Sequence, residues 1–189
     1  RATELRPLVI DQLDRLDATG DAWASGTLIQ LLFQGEPDAL TQAFRQRFPD
    51  GWLATISASG INYTSLQLAL VEQRYEEADR LTSEHLRQLA GADAVSRGYV
   101  YYSEVPPIAA VALESIDRLW VVYSQGRFGF SVQIRLLRSL AGRWDQLWPR
   151  LGWKQGGVWT RYPSAFTWSL EAPEGHLPLV NQLRGVRLM

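Results

Sequence analysis

The order of hydrophobic and polar positions predicts a chain built mainly of helices. Near the start, apolar residues recur three or four positions apart with Asp and Arg between them, at Leu5, Leu8, Val9, Leu13 and Leu16. This spacing is typical of an amphipathic helix. Further helices are predicted over 21–33, 36–48 and 60–71, each bounded by Gly or Pro. Short helices joined by short connections predict an N-terminal helical bundle over residues 1–73.

The second part, residues 74–189, shows the same helical spacing with more interruptions. A helix is predicted from Tyr75 to Leu89, ending at Gly91. Residues 98–113 are apolar and aromatic, but the adjacent Pro106 and Pro107 argue against a long regular element, so we expect a loop with short helical turns. The fold class predicted for the whole chain is therefore all-α, in two domains.

Three more helices and a hairpin complete this prediction. The helices are expected over 113–123, over 131–141 with Ser131 as its N-cap, and over 144–151. In the first of them, Ile116, Leu119 and Trp120 are expected to face the core, and Asp117 and Arg118 the solvent. A small hairpin is expected around Gln155-Gly156-Gly157, and a loop over 170–178.

Composition excludes several classes of function. The 189 residues contain no Cys and two His, His85 and His176, which argues against disulfides, thiol catalysis and a His-rich metal site. No apolar run reaches the ~18 residues that span a membrane, and no signal or transit peptide is expected. The motifs of serine hydrolases, phosphate loops and zinc proteases are missing, and Glu114 and Asp117 are expected to form a solvated face. We therefore expect no enzymatic activity and no metal site.

The distribution of charge separates the two parts of the chain. Residues 1–73 carry nine acids and five Arg, a net charge of −4, whereas residues 74–189 carry a net charge of +3 and six of the eight Trp. The overall charge of −1 argues against a nucleic-acid partner. A mildly basic, Trp-rich half suits an aromatic anion with apolar surface, although Trp residues in a small hydrophobic core would give the same composition.

Two long stretches carry a family resemblance. They are I-D-R-L-W-V-V-Y-S-Q-G-R-F-G-F-S-V-Q at 116–133 and L-E-A-P-E-G-H-L-P at 170–178. Shorter matches lie between or before them, at 75–82, 151–153 and 158–162. Over residues 74–178 the chain resembles the genomes-uncoupled family of porphyrin-binding magnesium chelatase regulators, and its acidic N-terminal helices resemble the extra domain of the cyanobacterial two-domain type.

The resemblance implies a non-enzymatic regulator in photosynthetic chlorophyll biosynthesis. Such a protein binds protoporphyrin IX and magnesium protoporphyrin IX as ligands, without an obligatory cofactor, and stimulates magnesium chelatase. Its implied fold is helical, with a groove shaped like a cupped hand. The implied partner is the large porphyrin-binding subunit of the chelatase. We expect a monomer in the cytoplasm of a cyanobacterium, with peripheral membrane association left open; the plastid stroma is the compartment of plant relatives.

A porphyrin needs an apolar slot for its ring and cations or amides for its two propionates. One wall of the slot is predicted from the Pro-interrupted loop, at Tyr102, Val105, Pro107, Ile108 and Val111. Trp159 and Tyr162 are candidates for an opposite wall, with core packing as the alternative. Phe128 and Phe130 are expected mainly to anchor the core, although one of them could face the groove.

The C-terminal residues Asn181, Arg184 and Arg187 are the candidates for the propionates. The two Arg lie three positions apart, and a guanidinium can bind a carboxylate through two parallel hydrogen bonds; a solvated tail is the alternative. For His176 a structural hydrogen bond is favoured over axial ligation of a metalloporphyrin. A helical protein-interaction module without a tetrapyrrole ligand remains the alternative function.

Overall fold

The computed structural model describes residues 2–57 and 59–179, with side chains from Arg6 onward. The N-terminal helices are α1 (Ala2–Gln12), followed by a 3-10 turn at Leu13–Arg15, α2 (Trp23–Leu32), α3 (Ala39–Arg47) and α4 (Thr64–Val71). The later elements are α5 (Tyr75–Ala90), α6 (Ala92–Arg97), a 3-10 turn at Tyr102–Glu104, α7 (Ala110–Tyr123), α8 (Phe130–Ser139) and α9 (Trp144–Arg150). A two-stranded antiparallel hairpin, β1 (Lys154–Gln155) and β2 (Val158–Trp159), follows α9.

The mainly helical fold and the hairpin are confirmed, whereas several local predictions are wrong. The helix predicted over 60–71 begins at Thr64, four residues later than predicted. Helix α6 was missed because its six residues lack a helical hydrophobic repeat. Helix α7 begins at Ala110, three residues earlier than predicted. Ser131 is not the N-cap of α8, because Gly129 takes that position and the amide of Ser131 donates instead to Asp117 Oδ1 at 2.9 Å.

Helix α7 is the central element of the core. It packs against α2, α4 and α8, and Ile116, Leu119 and Trp120 are fully buried, as predicted. One hydrophobic core cluster extends from Val9 of α1 to Leu179. Residues on both sides of the predicted domain boundary at 73/74 therefore share one core, and the boundary itself stays a prediction.

Helices α2 and α7 bring the backbones of the two predicted parts close together. Gly26 of α2 faces the backbone of Val122, and a Cβ atom at Gly26 would lie 2.2 Å from the Val122 carbonyl oxygen. Because real Cβ atoms do not approach that closely, only glycine fits here without moving a helix. Next to this contact, the side-chain amide of Gln30 donates to the carbonyls of Leu70 and Tyr123 at 3.0 and 2.8 Å.

The two stretches that carry the family resemblance pack against each other. The amide of Gly129 donates to Leu177 O at 3.0 Å. The side-chain amide of Gln133 donates to Gly175 O and Pro178 O at 3.0 and 2.8 Å. These bonds hold the 170–178 loop onto α8, so the two stretches pack together as part of the scaffold.

His176 anchors this loop from inside. Its Nδ1 lies 2.6 Å from Leu151 O, which can only accept, and the amide of Thr167 donates to Nε2 at 3.3 Å. Both contacts require the neutral tautomer with the proton on Nδ1. With both ring nitrogens bonded and the ring buried, the structural hydrogen bond predicted for His176 is present. Burial lowers the pKa of His176, and the bond to Leu151 opposes this only in part.

Replacing Gly26 with Ala is expected to destabilise the fold, because the added methyl group must push α2 away from the α7 backbone. Overpacking of this kind costs about 1–3 kcal/mol or more in the free energy of unfolding. Urea denaturation followed by circular dichroism measures the change. Ala24→Ser on the exposed side of α2 is the control, and equal stability of the two variants would contradict the close contact.

Acidification is expected to weaken the fold through His176. Because the folded-state pKa lies below the unfolded value of about 6.5, the unfolded chain binds more protons as pH falls. The stability contributed by neutral His176 is therefore complete above about pH 6.5 and is lost as pH falls through the folded pKa. His176→Gln should be less stable at about pH 7.5 and should lose less stability by about pH 5 in urea denaturation. Burial also lowers the pKa of His85, so His85 contributes to the pH dependence in the same direction and His85→Gln is the comparison variant. If the stability of His176→Gln falls with pH as steeply as that of the wild type, the assignment to His176 is refuted.

Candidate functional site

A groove of about 400 Å³ opens between the 98–109 loop and helices α5, α7 and α8. Its lining is apolar apart from Glu114, Asp117 and Ser131 at one side. The apolar lining residues are Leu86, Val100, Val105, Ile108, Leu113, Phe130 and Ile134. A concave, mostly apolar groove of this size with a few polar groups is the usual form of a small-molecule site.

The loop that forms one wall follows directly after α6. Gly98 ends that helix with a left-handed backbone (φ +87°), which an L residue rarely adopts. The chain then makes the 3-10 turn, and the amide of Ile108 donates to Val105 O at 3.0 Å. Ile108 is buried, whereas Val105 is 37% exposed, so the loop is fixed to the core at its second end and presents apolar surface in between.

Helices α7 and α8 form the facing wall. Asp117 on α7 accepts a hydrogen bond from the amide of Ser131, which has no partner within the helix because it lies in the first turn of α8. This bond joins α7 to the start of α8. Asp117 and Arg118 are both half-buried, so the prediction that they face the solvent is wrong. Asp117 is bonded to the start of α8, and Arg118 donates to Thr19 O at 2.7 Å. Phe128 is fully buried, whereas Phe130 is half-buried and lines the groove.

The structure brings two of the predicted loop residues, Val105 and Ile108, into the groove. Tyr102 lies in the same loop but is 81% exposed. Pro107 is exposed and Val111 half-buried, and neither lines the groove. Two of the five predicted loop residues therefore line an apolar groove, and the contact of all five with a ligand stays a prediction.

Trp159 and Tyr162 do not line this groove. The ring of Trp159 lies 5.9 Å from that of Trp148 and beneath the Lys154 ammonium. The hydroxyl of Tyr162 donates to Asp79 at 2.9 Å, and its ring packs edge-on against Phe166 and Trp168. Tyr162 borders a separate, more open hollow of about 800 Å³. Trp159 and Tyr162 therefore do not face the 98–109 loop across this groove, and their predicted contact with a ligand stays a prediction.

Asn181, Arg184 and Arg187 lie outside the described residues, so their predicted contact with propionates stays a prediction. Within 2–57 and 59–179 no group of His, Asp or Glu has the arrangement of a metal site. No helix in the same ranges is long and apolar enough to cross a membrane.

Several groove residues escaped the sequence-based prediction. Leu86, Leu113 and Ile134 fall within predicted helices, where an apolar residue is ordinarily assigned to the core. One signal was available: Phe130 and Ile134 are four apart on α8 and form a second apolar stripe beside the buried Val132 and Leu136. Ile134 is 48% exposed, which marks that stripe as an open surface.

Comparison with known proteins gives relatives in photosynthetic organisms. A Ycf53-like protein of Synechocystis sp. is 46% identical over 165 residues, covering 87% of this chain and 71% of that protein. The chloroplastic tetrapyrrole-binding protein of Arabidopsis thaliana is 38% identical over 133 residues, covering 66% of this chain and 50% of that protein.

A solved structure and a family model agree with these relatives. The structure of GUN4 from Chlamydomonas reinhardtii superimposes with a TM-score of 0.65 at 36% identity, covering 68% of this chain and 83% of that one. The model of the GUN4-like family matches residues 56–189, which include both stretches that carry the resemblance. The chain therefore belongs to the GUN4-like family.

Proposed function

We propose that this protein binds a porphyrin in the groove between the 98–109 loop and helices α5, α7 and α8. The observation that carries the proposal is that groove, an apolar hollow of about 400 Å³. A flat macrocycle would bury its ring against Val100, Val105 and Ile108 on one side and Phe130 and Ile134 on the other. The tetrapyrrole-binding name of the Arabidopsis relative supports this class of ligand.

The proposal extends to the specific porphyrins that the protein binds and to its regulatory role. The ligands are protoporphyrin IX and magnesium protoporphyrin IX, and the bound protein stimulates magnesium chelatase by contacting its large porphyrin-binding subunit. It acts in chlorophyll biosynthesis as a monomeric binding regulator, without catalysis of its own. The proposed compartment is the cytoplasm of a cyanobacterium, with peripheral association to a membrane. In plant relatives the corresponding compartment is the plastid stroma. The two-domain division at 73/74 and the cupped-hand shape belong to this proposal and rest on the family resemblance.

Titration with deuteroporphyrin tests the ligand claim on the whole chain, because α2 and α4 share a core with α7. The eight Trp residues of the chain supply the fluorescence. Saturable quenching supports porphyrin binding. Its absence would remove the claim and favour a protein-interaction module.

Ile134→Asp is expected to weaken porphyrin binding without unfolding the protein, because the side chain is exposed in the groove. Loss of the apolar contact is worth about 1.5–3 kcal/mol, and repulsion of the propionates adds to it, so Kd should rise roughly tenfold or more. The fluorescence titration measures this change. Ile56→Asp, at a comparably exposed Ile outside the groove, is the matched control; equal Kd values for both variants would place the ligand elsewhere.

Replacing Arg184 and Arg187 together with Gln is expected to weaken deuteroporphyrin binding by roughly tenfold, since a hydrogen bond to a charged group is worth about 1.5–3 kcal/mol. The same double variant should bind the dimethyl ester, which lacks ionised propionates, as wild type does. Arg45→Gln with Arg47→Gln removes the same charge from α3 and should leave both affinities unchanged. A loss of affinity for the ester as large as for the free acid would contradict propionate binding.

A further inference from the structure

Arg97 joins the two ends of the short segment that contains Val100 and leads into Val105. It is the last residue of α6, and its Nη2 donates to Glu104 Oε2 at 2.5 Å and to Tyr99 O at 3.1 Å. Both side chains of the ion pair are about four-fifths shielded from solvent, with 21% and 23% exposure. One guanidinium thus reaches across the turn and holds both its beginning and its end.

Two tyrosines enclose the same guanidinium. Its central carbon lies 4.0 Å from the ring centre of Tyr101 and 4.8 Å from that of Tyr99, within the range of cation–π attraction. The two rings are perpendicular, with centres 5.2 Å apart and hydroxyl oxygens 3.2 Å apart. A lysine could not reproduce this arrangement, because only the planar guanidinium stacks and donates in several directions at once.

Glu104 closes the network from the other side. Its Oε2 also accepts the backbone amide of Tyr101 at 2.7 Å. This bond, with the Arg97 guanidinium, lowers the pKa of Glu104, so the carboxylate stays ionised at neutral pH. Arg97, Tyr99, Tyr101 and Glu104 are together called the latch.

Little else fixes this part of the loop. Tyr102 is 81% exposed and Val105 37% exposed, and the nearest buried anchors are Ala94 on one side and Ile108 on the other. Of the groove-lining residues, Val100 lies between Tyr99 and Tyr101 of the latch, and Val105 follows Glu104 directly. The conformation of this wall therefore depends on polar and aromatic contacts within the loop rather than on the hydrophobic core.

We propose that the latch is a positioning device that holds the loop wall of the groove in its binding-competent conformation before a ligand arrives. The inference rests on the proposed porphyrin binding, and it makes Arg97 and Glu104 positioning residues that need not touch the ligand. A protein that binds only in one loop conformation loses apparent affinity in proportion to the fraction of molecules that adopt it. Breaking the latch should lower that fraction.

Hydrogen–deuterium exchange of the ligand-free protein tests the latch by itself. Arg97→Met and Glu104→Gln are each expected to raise deuterium uptake in peptides covering 98–109, where the Tyr101, Glu104 and Val105 amides are bonded within the loop. Peptides of α7 and α8 should keep their wild-type uptake. Unchanged uptake over 98–109 in both variants would overturn the inference, whatever the protein binds.

Porphyrin titration of the same variants tests the consequence. Each single variant should raise the Kd for deuteroporphyrin on the order of tenfold, and the double variant should lose little more than either one, because both remove one network. Arg97→Lys should recover only part of the affinity. Arg80→Met and Glu84→Gln, which break an exposed ion pair on α5 away from the groove, are matched controls and should bind as wild type.

Two outcomes separate the inference from the proposed function. If the latch variants show raised deuterium uptake over 98–109 but an unchanged Kd for deuteroporphyrin, the positioning role is overturned and porphyrin binding stands. If the wild-type chain shows no saturable binding, the proposed function falls, and with it the positioning role. The effect of the latch on deuterium uptake over 98–109 would then be a property of the fold without a role in binding.

Discussion

The carbonyl oxygen of Tyr123, at the end of α7, is the point on which the packing of this fold depends. It accepts hydrogen bonds from the Gln30 side chain of α2 and from the Tyr75 hydroxyl of α5, at 2.8 and 3.2 Å. The Tyr123 hydroxyl donates to Gln67 of α4 at 2.9 Å. Three helices are thus bonded to one buried residue, where an unpaired polar group would be costly. Gly26 adds the close backbone approach that brings α2 within reach.

The groove lies toward the other end of α7. Leu113, Glu114 and Asp117 line it in the first half of the helix, while Tyr123 holds the last turn in the core. A rigid helix therefore connects the N-terminal helices to the groove, although α1, α2 and α3 contribute no side chain to its lining. This gives the N-terminal part a physical role in the protein: it fixes the helix on which one wall of the groove is built.

The chemistry of the groove constrains how the proposed ligand would sit. The apolar walls suit the ring of a porphyrin, but the carboxylates of Glu114 and Asp117 would repel its propionates. The propionates would then point away from α7, toward solvent or toward cationic groups such as those predicted in the C-terminal residues. The charges of Arg97 and Glu104 in the latch neutralise each other. The loop would therefore contribute to binding through its shape rather than through charge.

The sequence by itself determined the helical fold class, most helix positions and the family. Those features depend on local spacing and on contiguous stretches, as in α5 and in residues 116–133. It also pointed to the Pro-interrupted loop, because apolar residues such as Val105 and Ile108 in a broken segment cannot all join a helical core. Only the tertiary structure decided which residues meet across the groove. Trp159 packs against Trp148 and Tyr162 bonds to Asp79, whereas Phe130 and Ile134 line the groove with the loop. These contacts join residues that are far apart in the sequence, so no local pattern encodes them.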